Sequence, residues 1–178
     1  MKKFELTAEF VTNVFGKKLF RIKALVAFGN VEKGELGGFI EKEDNLSHYG
    51  DAWVYGNAWV YGNACVYGDA WVSGDARVYG NAQVSGDAWV SGDARVSGDA
   101  DYAVVTGFGR YFRATTFFRC KDKILRVQCG CFYGNLTQFR EIVKKTHGDS
   151  KRAKEYLAIA DLMELHFSDE EENQEADK

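Results

Sequence analysis

Residues 50–100 read GDAWVYGNAWVYGNACVYGDAWVSGDARVYGNAQVSGDAWVSGDARVSGDA. This is one unit, Gly-(Asp/Asn)-Ala-x-Val-(Tyr/Ser), repeated without a slip: valine falls at 54, 60, 66, 72, 78, 84, 90 and 96, and alanine two places before each. A helix of period 3.6 cannot hold a strict six-residue pattern on one face, and a glycine in every unit would cost it about 1 kcal/mol each. Ala-x-Val instead turns two side chains inward with one outward between them, which is the alternation of a strand. Gly-Asp or Gly-Asn supplies the corner, because both residues tolerate positive φ. A short strand and a corner, repeated, describe a β-solenoid in which each unit buries its apolar side only against its neighbours.

The pattern Val-x-Gly-(Asp/Asn)-Ala-x resembles the hexapeptide repeat of left-handed parallel β-helices. That resemblance implies a triangular coil of three units, so that residues about eighteen apart stack, roughly 4.8 Å from one another as in any paired sheet. On this register side one carries Trp53, Trp71 and Trp89 beside Tyr55, Ser73 and Ser91. Side two carries Trp59, Arg77 and Arg95 beside Tyr61, Tyr79 and Ser97, and side three Cys65, Gln83 and Asp101 beside Tyr67 and Ser85. Stacked tryptophans stabilise adjacent coils by about 0.5–1.5 kcal/mol per pair, and a bare ladder of three is more apolar surface than soluble monomers leave open. The expected protein-binding residues are Trp53, Trp71, Trp89, Tyr55, Trp59 and Tyr61, covered by a second copy, by terminal segments folding back or by a foreign protein. Related β-helices trimerise through flat faces, so the resemblance implies a homo-oligomer, dimer or trimer.

The corners stack as well: Asp51, Asp69 and Asp87; Asn57, Asp75 and Asp93; Asn63, Asn81 and Asp99. Asp and Asn cap tight turns by bonding local N–H groups, and that role is expected here ahead of a cation ladder or an imitation of DNA phosphates. About three coils leave unpaired strand edges at both ends, which must be capped. Residues 1–45, with Leu19–Val26 strand-like, are the expected β cap; the β-helix spans 46–106; 107–167 form a hairpin and two helices; 168–178 are an acidic, disordered tail. The fold class is therefore mainly β, a short left-handed parallel β-helix with an N-terminal β cap and a C-terminal α+β segment.

In the C-terminal third, Arg110–Arg119 and Ile124–Cys129 read as two strands joined at Lys121-Asp122-Lys123. Helices are expected from Asn135 or Thr137 to Gly148 and from Asp149 or Ser150 onward. Cations interleave with aromatics between Arg110 and Lys121, and strand alternation places Arg113 and Arg119 on one face. Arg110, Arg113, Arg119 and Lys121 are thus a candidate anion site for a nucleotide or nucleic acid, set against the plainer reading of solvated arginines over core phenylalanines. Cys129-x-Cys131 with Cys120 nearby is a fragment of a zinc pattern, but without a second ligand pair buried thiols are the better account. No cofactor is expected.

The chain has 178 residues and a net charge of −3, with no proline and 19 glycines. That total hides +1 over 1–50, −4 over 51–100, +5 over 101–167 and −5 over 168–178. No run of about eighteen apolar residues suggests a membrane span, and a soluble, cytoplasmic chain is expected. Hexapeptide acyltransferases place a histidine at a coil edge as base, and γ-class carbonic anhydrases use three on zinc. Here the repeat contains none: the three histidines are His48, His147 and His166. An enzyme is therefore not expected, and an acyltransferase stands only as an alternative.

The flanks narrow the resemblance. Gly37-Gly38-Phe39-Ile40 leading into the repeat, then Cys129-Gly130-Cys131-Phe132, Asn135–Phe139 and Thr146–Asp149 after it, are similar to small hexapeptide-repeat proteins of phages and prophages, over most of residues 18–166. The resemblance implies a phage-encoded accessory protein in the bacterial host's cytoplasm. The function expected is non-enzymatic: binding and inhibiting a host component, such as a defence protein, through the aromatic face.

Overall fold

A computed structural model describes residues 2–168. Strands β1 (Phe4–Thr12), β2 (Lys18–Ala24) and β3 (Leu36–Ile40) precede eight two-residue strands. These are β4 (Trp53–Val54), β5 (Trp59–Val60), β6 (Cys65–Val66), β7 (Trp71–Val72), β8 (Arg77–Val78), β9 (Gln83–Val84), β10 (Trp89–Val90) and β11 (Arg95–Val96). Then come β12 (Tyr102–Val105), β13 (Thr115–Arg119), β14 (Leu125–Cys129), β15 (Phe132–Asn135), α1 (Leu136–His147) and α2 (Lys151–His166). The protein is mainly β, a β-solenoid of about three turns followed by a strand region and two helices.

The eighteen-residue register holds. Trp53 pairs with Trp71 and Trp71 with Trp89 in parallel, Trp59 with Arg77 and Arg77 with Arg95, and Cys65 with Gln83. Every repeat alanine and valine from Ala52 to Val96 is buried, forming one axial core. From Gly50 to Gly92 every corner glycine takes a positive φ, as at Gly56 (φ 64°). At the corners of Ala58, Ala76, Ala82, Ala88 and Ala94 the alanine N–H closes the turn on the carbonyl before the glycine, as Ala58 does on Tyr55 at 3.2 Å. The corner carboxamides and carboxylates also bond from coil to coil: Asn63 Nδ2 donates to Asn81 Oδ1 at 3.1 Å, and the Asp51 N–H to Asp69 Oδ1 at 3.0 Å.

The stack begins earlier than residue 46. Phe39 and Ile40 of β3 pair in parallel with Trp59 and Val60, and Leu46 bridges Val66, so part of an extra coil precedes the repeat. Its side chains depart from Ala-x-Val because Gly38 stands opposite Ala58, where a Cβ would press on the Ala58 carbonyl oxygen at 2.6 Å. The cap is then the antiparallel β1–β2 hairpin, which extends side two into a six-stranded sheet of order β1-β2-β3-β5-β8-β11. Open backbone groups elsewhere at this end are met by side chains. The buried Lys3 ammonium donates to the carbonyls of Gly50 (3.1 Å) and Ala52 (2.8 Å), and Asn45 Nδ2 to those of Gly62 (3.2 Å) and Ala64 (2.7 Å). These substitutes occupy the places that a further coil would fill.

At the other end, a sheet of order β12-β13-β14-β15 closes the stack. Thr116 Oγ1 accepts the Trp89 N–H at 2.9 Å, the Lys121 N–H reaches the Asp93 carbonyl at 3.1 Å, and the Tyr102 hydroxyl donates to the Gln83 carbonyl at 2.6 Å. The outer face of this sheet carries α1 and α2 on a second core that includes Phe117, Val127, Phe139, Tyr156 and Met163. Asn135 and Ser150 cap the helices, and Gly148 ends the first at φ 56°. The hairpin expected over 110–129 is shorter at its start, since residues 110–114 are not strand, and it gains β12 and β15 on its two edges. Of the acidic tail expected at 168–178, all but Ser168 lies outside the described residues. No helix among the described residues is long and apolar enough to cross a membrane.

Candidate functional site

The tryptophan ladder forms, but its three rungs differ. Trp53 is 0% exposed, with Phe28 edge-on at 5.3 Å and Phe4 at 6.4 Å. The terminal segment folds back over it, so Trp53 cannot dock a partner and belongs to the core. Trp71 is half-buried, while Trp89 is 42% exposed, its indole N–H donating to Ser73 Oγ at 3.3 Å. Tyr55 is exposed as well. Trp59 and Tyr61 lie on side two, where the Arg77 guanidinium covers the Trp59 ring at 4.2 Å and Tyr61 stacks on Tyr79 at 5.3 Å.

The loop between β12 and β13 brings Tyr111 (64% exposed) and Phe112 (71% exposed) beside Trp89. Gly107, Gly109 and Phe112 all have positive φ, and at Phe112 (54°) this is a strained conformation for a side chain that packs on little. The result is an apolar strip of Trp71, Trp89, Tyr111 and Phe112. Sequence periodicity missed its outer half because Tyr111 and Phe112 fall in the stretch expected as a strand.

The expected anion site does not assemble as one cluster. Arg119 is turned away from Arg113: it donates to the Phe167 carbonyl at 2.8 Å and lies over the Phe167 ring. Lys121 sits on side two with Arg77 and Arg95. Alternation cannot pair Arg113 with Arg119, because Arg113 is in the loop and not on the strand. Arg110 and Arg113 do meet, in a cleft of about 560 Å³ together with Tyr111, His147, Arg152 and Tyr156. Arg152 and His147 carry no local motif, and only the packing of α2 against α1 delivers them there. Tyr156 is the floor: His147 stacks on it at 5.9 Å, and burial, helped by the neighbouring Cys129 thiol, pushes its hydroxyl up to about 12.

Cys120 is buried against Tyr133, and burial raises its thiol to about 12; Cys129 accepts a hydrogen bond from Thr115 Oγ1 at 3.2 Å, and Cys131 is exposed. Among the described residues no three His, Cys, Asp or Glu side chains converge as metal ligands. The histidines are dispersed: His48 stacks on Phe4 at 4.3 Å, His147 on Tyr156, and His166 meets Phe167.

Three overlapping stretches, residues 58–74, 70–86 and 76–92, match a family model described as YdcK Beta solenoid repeat. The match covers well under half of the chain, and it agrees with the coil seen over these residues. No curated protein matches the chain.

Proposed function

We propose that the chain is a non-enzymatic interaction protein in which the solenoid serves as a rigid platform and the aromatic strip closes against a second copy. The observation that supports this is Trp89, a ridge between two hollows. One, of about 280 Å³, is lined by Trp71, Asp69 and Asp87; the other, of about 570 Å³, by Tyr111, Phe112 and Arg113 with Asp87 shared at the rim. An exposed apolar strip of this kind marks an interaction surface. Its two hollows differ in charge, so a twofold axis would seat each Trp89 ridge beside the opposite rim and bring each acidic hollow near the other copy's arginine. The finer reading follows the resemblance to phage accessory proteins: in the host cytoplasm the assembly occupies the surface of a host component, such as a defence protein, and blocks it.

Light scattering tests the self-association. The natural chain is expected as a dimer with a concentration-dependent melting temperature, and the W89A/F112A variant as a monomer that still melts cooperatively, independent of concentration. A natural chain that stays monomeric at high micromolar concentration, or a double variant that stays dimeric, overturns the proposal.

A further inference from the structure

Elsewhere in this fold Arg21 pairs with Glu9, Arg126 with Asp122, and Arg140 with Asp161 and Glu164, all at 2.6–2.9 Å, while Arg95 and Arg119 donate to backbone carbonyls and Arg77 lies over the Trp59 ring. The three arginines of the cleft are different. Among the described residues Arg110, Arg113 and Arg152 form no ion pair, and no Asp or Glu lines the cleft with them. Three like charges that converge on a cleft with no acid in its lining repel one another. The start of α2 adds to the conflict. It opens with Lys151 and Arg152 and has no acid in its first turn, so its cations stand at the positive end of the helix dipole.

The aromatic surroundings are arranged to hold a flat group. Arg110 and Arg113 both lie over the Tyr111 ring, at 5.4 and 5.1 Å, which presents the guanidinium groups together. Phe132 lines the same cleft, and Tyr156 closes the floor. Gly109 (φ 76°) lets the loop rest on that floor, since a side chain there would run into the Tyr156 hydroxyl. A volume of about 560 Å³ falls within the range of small-ligand sites.

From the unpaired arginines, the acid-free lining and the aromatic walls together, we infer that this cleft binds a nucleoside phosphate. Its phosphate is chelated by Arg110, Arg113 and Arg152, and its base stacks on the ring of Tyr111 or Phe132. Guanidinium groups match phosphate oxygens in bidentate geometry, and aromatic rings accept any base. A free nucleotide fits better than a strand of nucleic acid. The cations converge on one hollow instead of tracking along the surface, and the neighbouring repeat carries a charge of −4 with stacked corner carboxylates that repel a polyanion. The inference goes beyond the interaction reading above; Tyr111, Arg113, Gly130 and Cys131 line both the cleft and the strip hollow, whereas Arg110 and Arg152 line the cleft and not that hollow.

The test is calorimetric titration of the full chain with adenosine 5′-monophosphate, uridine 5′-monophosphate, inorganic phosphate and a single-stranded oligonucleotide. The expected result is saturable binding of both nucleotides, at least tenfold weaker binding of phosphate, and no gain for the oligonucleotide. R110A and R152A are exposed and outside the strip, so each should keep the natural melting temperature and weaken nucleotide binding about tenfold or more. K121A, on side two, should bind as the natural chain does, and so should W89A/F112A, whose failure to dimerise is a separate readout. Absence of nucleotide binding at millimolar concentration overturns the inference. So does equal affinity for inorganic phosphate, tighter and steeply salt-dependent binding of the oligonucleotide, or unchanged affinity in R110A and R152A.

Discussion

Gly50, Gly68 and Gly86 form one corner column, and they offer a measurement of the coil stack from within. All three have φ between 64° and 70°, so alanine at any of them pays the left-handed backbone penalty of about 1–2 kcal/mol, part of which is returned by a stiffer unfolded chain. What differs is the space above. A Cβ at Gly50 runs into the carbonyl oxygen of Gly68 in the next coil, whereas at Gly86, the last of the column, nothing lies within 4 Å. G86A should therefore cost about 1 kcal/mol, a fall in melting temperature of about 3 °C for a chain of this size. G50A adds an overpacking term of about 1–3 kcal/mol against backbone that cannot rotate away, for a fall of roughly 6–12 °C. Melting followed by far-ultraviolet circular dichroism, with chemical denaturation to confirm the free energies, reads both variants. Equal losses at the two positions would refute the close corner contact between coils.

Three further outcomes follow from other parts of the molecule. Burial lowers Lys3 from 10.5 to about 8, so the unfolded chain binds more protons between those values and this residue's contribution to stability rises with pH across that window. Cys120, Tyr133 and Tyr156 are raised to about 12 and act in the opposite sense above their ordinary values, so the comparison is with K3M: from pH 8 to 9 the natural chain should gain about 1 kcal/mol relative to the variant, and parallel curves would refute the buried ammonium. W53A should lose about 3–5 kcal/mol while W89A stays within about 0.5 kcal/mol, as denaturant titration would show; similar losses would contradict the assignment of one to the core and the other to the surface. A thiol reagent should label Cys131 in the folded chain and reach Cys120 only on unfolding, and mass spectrometry of the labelled peptides would expose early labelling of Cys120.

The repeat made the coil legible because one steric rule acts in every unit: valine and alanine inward, glycine at the corner. The partial coil before it was hidden, since Phe39 and Trp59 are twenty residues apart and Gly38 replaces the inward alanine. The end seals were hidden for a different reason. Lys3 and Asn45 act alone, through hydrogen bonds to carbonyls some seventeen to forty-nine residues away, and a single polar residue carries no period. The basic and aromatic character of residues 110–121 was plain, yet alternation misplaced its side chains. Positive φ at Gly107, Gly109 and Phe112 breaks the strand geometry on which alternation depends. Arg152 joined the cleft through helix packing, for which the local sequence gives no sign.

The hydrogen bonds by which Lys3 and Thr116 seal the two ends each go to the coil beside them, which makes the middle of the stack modular. Splicing in one whole coil between Gly68 and Gly86 would lengthen the axis by a single strand spacing and leave the Lys3 and Thr116 contacts as they are. Splicing in one unit instead would turn everything downstream by a third of a revolution, carrying Trp89 away from Trp71. Length is thus free to vary in threes of the repeat, whereas any other increment scrambles the direction in which each outward side chain points.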